Sequence, residues 1–150
     1  MASTISAATL TVTHTEALTL NGVDRGVTNT LTIASVNEVD HRIVSVDTSA
    51  ARTLVSTAAT VGAGTFINSN VKYIRLTNKD DTNFVTIGIL RASAEAVYLK
   101  LEAGQTFCFY NDDIEIDDDG IVNGGFAQFD TINAQANSAA VDLEVFVACT

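Results

Sequence analysis

The chain contains no proline and no tryptophan, only two cysteines, and 8 basic residues against 18 acidic ones. The shortage of bases matters most. Nucleic-acid binding rests on Lys and Arg neutralising phosphates, and here the bases stand singly between Arg25 and Lys100 in a chain of formal net charge −10. DNA or RNA is therefore excluded as an expected direct partner, and an anionic membrane surface is disfavoured for the same reason. The acidity keeps the surface soluble. Without tryptophan the chain lacks a favoured residue for sugar stacking and for interface hot spots. No apolar run approaches the roughly 20 residues that a membrane-spanning helix needs. The opening MASTISAATL has neither a basic n-region nor an apolar h-region, so no secretory signal is expected and the chain is read as made in the cytoplasm and used without export. Cys108 and Cys149 form no C-x-x-C, and two reduced thiols are expected. The absence of proline is unusual in a chain this rich in turns and has no physical account in the sequence.

What remains is rich in Thr, Ser, Asn and Ala. The composition is 47% hydrophobic and 17% charged, against a usual charged fraction of about 25%. Hydroxyls and amides cost less to desolvate than ions, so such a surface is easy to bury against a partner. Hydrophobicity repeats every second residue, the signature of strands. Val141, Leu143, Val145, Val147 and Cys149 share one parity, with Asp142 and Glu144 on the other. Similar runs cover Thr9–Leu20, Thr30–Val36, Arg42–Val46, Thr53–Thr57, Val71–Thr77, Phe84–Leu90, Ala96–Leu101, Thr106–Tyr110 and Phe126–Ala134. Between them lie turn formers such as Asn21-Gly22, Ala103-Gly104 and Gly124-Gly125. The Ala-rich stretch Ala50–Val61 leaves a helical turn open. The pattern predicts an all-β, antiparallel, jelly-roll-like β-sandwich. It is read as one domain over 1–150, with Met1–Ala8 as an N-terminal arm that has little core of its own to join.

Each candidate site has a plainer structural explanation beside it. In VKYIRLTNKDDTNFVTIGIL, the polar knot NKDDTN reads as the turn of a hairpin, because Asn and Asp bond nearby backbone and tolerate left-handed geometry. The acidic stretch Asp112–Gly120 places Glu115, Asp117, Asp119 and Gly120 at positions 1, 3, 5 and 6 of an EF-hand loop. Position 12, which should be a bidentate carboxylate, is Phe126, and the flanks are strand-like, so a solvated strand and turn is the expectation. A looser calcium site there stays open. His14 and His41 lie in no H-E-x-x-H. Asp40-His41 has the residue types to assist Cys108 or a serine, but neighbours on a strand point to opposite faces. Gly62-Ala63-Gly64 is too short for a phosphate loop. Phe107, Phe109, Phe126 and Phe129 are better explained as core than as a sugar face. The sequence therefore assigns no catalytic residue, no metal site and no cofactor, and the chain is not expected to be an enzyme.

The segments KYIRLTNKDDTNFVTIGIL, AVYLKLEAGQTFCFY and ALTLNGVDRGVTNTLTIASVNEVDHRIVSV resemble small virion structural proteins of marine and cyanobacterial tailed bacteriophages. The likeness covers Ala17–Val46 and Val71–Tyr110. It implies a β-sandwich virion protein, often trimeric, with no catalytic residues to carry over. The expected role is a capsid cement or decoration protein on the virion's outer shell, with itself and the major capsid protein as partners. The alternative is a tail, baseplate or fibre component with carbohydrate-binding as one option.

Overall fold

The computed structural model describes residues 5–91, 95–110, 113–114 and 127–150. Its contacts divide the chain into two compact units: residues 1–37 together with Thr150, and Glu38–Cys149.

The first unit is a long two-stranded ribbon. Strand β1 (Ala8–Glu16) pairs antiparallel with β4 (Val27–Val36), and its tip is a smaller pair, β2 (Thr19–Leu20) with β3 (Val23–Asp24). Asn21 and Gly22 link β2 to β3 with φ of 52° and 77°. Two successive positive φ values are what a tight hairpin turn needs, and Asn-Gly supplies them at least steric cost. Ser35 also takes a positive φ, 61°, where the β1–β4 register slips between Ala8 and Leu10. Ile5, in the expected arm, is 70% exposed.

The second unit is the expected β-sandwich. One sheet has the order β10 (Glu95–Leu101), β9 (Val85–Arg91), β14 (Thr131–Ala136), β6 (Arg52–Ala58), β7 (Phe66–Ile67). The other runs β11 (Thr106–Phe109), β8 (Val71–Asn78), β15 (Val141–Cys149), β5 (Glu38–Val46). A further short pair joins β12 (Asp113–Ile114) to β13 (Ala127–Gln128). Among the described strand pairs only β6–β7 is parallel. The region that left a helical turn open is strand β6, whose Leu54 and Val55 are both buried beside an irregularity in the β6–β14 register.

Alternation builds the core. From β15 the side chains of Val141, Leu143, Val145, Val147 and Cys149 enter it, as their parity predicted. They meet Val85, Ile87, Ile132 and Ala134 of the opposing sheet. Phe129 is 1% exposed, and burying such a ring contributes about 2–3 kcal/mol. The segment before β14 is fastened by Thr57, whose hydroxyl donates to the Phe129 carbonyl and whose amide donates to the Asp130 carbonyl at 2.9 Å.

The knot between β8 and β9 is a turn, but not that of a hairpin. β8 and β9 belong to different sheets, so Asn78–Asn83 carries the chain across the sandwich. Asp80 Oδ1 accepts the amides of Thr82 at 2.8 Å and Asn83 at 2.6 Å. Those amides hold the half-buried Asp80 carboxyl below its ordinary range, the Asn83 bond first. Asn78 is 1% exposed, donates to the carbonyls of Asn83 at 2.9 Å and Leu101 at 3.2 Å, and accepts the Asp80 amide at 2.9 Å. One side chain thus ties β8, the loop and the end of β10 together.

Candidate functional site

The outer face of the β11–β8–β15–β5 sheet brings charged and aromatic side chains into contact. Three strands contribute, because alternation turns Tyr73, Arg75, His41, Glu144 and Phe146 away from the core. Glu144 is the hub. Its carboxylate lies 2.5 Å from the Arg75 guanidinium, 2.9 Å from His41 Nε2 and 3.8 Å from Lys79 Nζ. At 16% side-chain exposure it is largely shielded. The His41 hydrogen bond first, then Arg75 and Lys79, hold its carboxyl below the usual range against the opposing effect of burial. A carboxylate kept ionised and fully engaged is a poor proton acceptor. Beside it Phe146 lies 5.6 Å from His41 and 5.9 Å from Tyr73, ring centre to ring centre, with Arg75 5.8 Å from its centroid.

The same face separates the members of the Asp40–His41–Cys108 set. His41 and Asp40 do point to opposite sides. Cys108, Arg75, Phe146 and His41 occupy one row across four adjacent strands. Three strand spacings put the thiol and the imidazole about 14 Å apart, with Arg75 and Phe146 between them. The structure does not bring them together. Cys108 instead sits 3.6 Å from the Tyr73 hydroxyl, and burial, then the Cys108 contact, raises the Tyr73 phenol above its ordinary range.

A second feature is a cleft of about 400 Å³ between the sheets at the β5 end. Glu38, Asp40 and Arg42 line one wall, with Leu54, Phe66 and the Gly62–Thr65 loop opposite. Arg42 pairs with Asp40 and donates to the Leu54 carbonyl. Asp40 Oδ2 faces that guanidinium as an ion-pair partner but receives no well-directed hydrogen bond. Inward-pointing charges on an edge strand such as β5 are also a known way to discourage sheet extension. Gly62–Gly64 forms a small closed turn, with the Thr65 hydroxyl and amide both bonding the Gly62 carbonyl. It presents no phosphate cradle.

Other sequence candidates fall elsewhere. Phe107 and Phe109 pack against the core, and Phe129 is inside it. Phe126 and all of Asp112–Gly120 except Asp113 and Ile114 lie outside the described residues. His14 is on the ribbon, away from the Glu144 hub in sequence and on the other unit. Among the described residues, no three His, Cys, Asp or Glu side chains converge as a metal set. Both cysteines are free thiols, with Cys149 buried.

No family model, no curated protein and no solved structure matches this chain.

The Glu144 hub was missed in the sequence because its members lie far apart, Arg75 and Glu144 by 69 positions. The available signal was weak: two acids, Asp142 and Glu144, on the polar parity of β15 and a lone base, Arg75, on that of β8.

Proposed function

We propose that the protein is a virion structural protein of a tailed bacteriophage, a capsid cement protein that trimerises and binds the outside of the major capsid protein shell. The observation that carries this reading is the division into a well-packed β-sandwich and a separate exposed ribbon with apolar side chains on it. That is a design for lateral contact. The sequence resemblance to phage virion proteins supports the setting, and the low charge fraction supports contacts that desolvate few ions. An icosahedral shell offers three-fold positions that a trimer matches with one contact made three times. Three linked contacts then raise avidity far beyond one.

The test is the position and copy number of this chain in imaged particles. Many copies on the shell, and loss of heat resistance with tails intact when the chain is missing, are the expected results. A few copies at the tail tip would overturn the reading. One observation favours the tail or fibre alternative: Tyr98 is 67% exposed on an outer face beside Gly88 and Asn133. Saturable glycan binding that is lost in Tyr98→Ala would establish that alternative instead.

A further inference from the structure

The ribbon has two unlike faces. On one side β1 and β4 pair Leu10 with Ile33, Val12 with Leu31, His14 with Asn29 and Glu16 with Val27. On the other, Thr11 pairs with Thr32, Thr13 with Thr30 and Thr15 with Thr28. The threonine face suits water, since hydroxyls stay solvated and β-branched side chains favour strands. The apolar face does not. Leu31 and Val27 on it are 37% and 45% exposed, and at the tip Leu18, Leu20 and Val23 are each exposed by half or more. An isolated two-stranded ribbon is marginal at best in water. It needs a cover.

We infer that the cover is the same face of the ribbon in a second copy of this chain. The inference deepens the trimer proposed above and rests on it for stoichiometry. Charge selects the occupant. Copies of net charge −10 repel one another, and in Ala8–Val36 only Glu16, Asp24 and Arg25 are charged. The ribbon contributes a formal −1, so it is where two copies meet with least repulsion. A basic partner would be drawn to the acidic remainder of the chain rather than to this nearly neutral strip.

Shape agrees. Three such ribbons can turn their apolar sides toward a common three-fold axis, each meeting two neighbours, while the threonine sides stay wet. Nine residues at about 3.3 Å by two strands give a flat face of only about 300 Å². A stable interface buries about 800 Å² per partner. The ribbon contact is therefore weak by itself, and association through it should depend on chain concentration. His14 opposite Asn29 interrupts the apolar strip, and a polar pair within such a seam fixes register.

The full-length chain is tested in solution, without capsids. Wild type should show three times the 15.8 kDa chain mass by light scattering. Leu31→Glu with Val27→Glu sets like charges against one another and should weaken association by about a hundredfold or more, leaving single-chain mass. Thr30→Glu, on the opposite face, should leave the trimer intact. Tyrosine near-UV dichroism reports whether the sandwich stays folded in each variant. As a second readout, amide exchange across β1 and β4 should quicken on dilution of wild type. A monomeric wild type, or equal behaviour of the two variants, overturns the ribbon contact. Because no shell is present, that result leaves the capsid location standing, and particle imaging tests the location alone.

Discussion

Replacing Asn78 by alanine tests the account of the β8–β9 crossing most directly. The amide of Asn78 makes three hydrogen bonds, two donated and one accepted, at 1% exposure. Each buried bond is worth about 1 kcal/mol net, and a group left unsatisfied costs about 1–3 kcal/mol. Alanine removes all three bonds and strands the Asp80 amide, for a total of about 3 kcal/mol. In urea, with a slope of about 2 kcal/mol/M, the midpoint should fall by about 1.5 M. For a chain of this size the melting temperature should drop by about 10 °C. Asp81→Ala in the same loop, where the exposed carboxylate bonds the Thr82 hydroxyl at 3.0 Å, is the control; it should stay within about 0.5 kcal/mol. Equilibrium unfolding of both variants decides the matter. A loss below about 1 kcal/mol for Asn78→Ala would mean that water replaces its bonds and would refute the claim that this side chain ties the two sheets together.

Four further outcomes are expected. Glu144 has a folded pKa below its ordinary value, so its contribution is present above about pH 4.5 and lost as pH falls through the lowered folded value; Glu144→Gln should cost about 1–2 kcal/mol at pH 7 and progressively less as the pH is lowered below about 4.5, and a pH-independent cost in urea titrations would contradict this. Burial pushes the Cys149 thiol up to about 12. It should react with a thiol reagent at least about a hundredfold more slowly than Cys108 in the native protein, and both should titrate after denaturation; a native Cys108–Cys149 disulfide in the mass spectrum would sink the reading. A methyl at Gly88 would press into Asn133 Oδ1 and stand 3.0 Å from Tyr98 Cε1, so Gly88→Ala should destabilise by about 1–3 kcal/mol, and partial rescue by Asn133→Ala in a double-mutant cycle checks the cause. Thermal melts with calcium and with a chelator should coincide if Asp112–Gly120 is a solvated strand and turn, and a chelator-induced fall of several degrees would show a bound ion.

Features that depend on neighbours along the chain were legible before any fold was known. Period-two alternation is a local record of one buried face, and it assigned β15, the inward course of Cys149 and the all-β class. Asn21-Gly22 declared its turn, because few other residue pairs tolerate two positive φ values. The opposite sides of Asp40 and His41 followed from the same alternation. Alternation carries no information about which strand pairs with which. NKDDTN therefore read as a hairpin, although the buried Asn78 ties the loop to a third strand and sends the chain to the other sheet. The separation of residues 1–37 as a ribbon was likewise hidden, since β1 and β4 look like any other strands until they are seen to pair only with each other. The Glu144 hub exists only because β5, β15 and β8 lie side by side in one register. Strand partners, the crossing and the hub all rest on contacts between residues far apart in the chain, which no local pattern encodes and which appear only once the sheets have assembled.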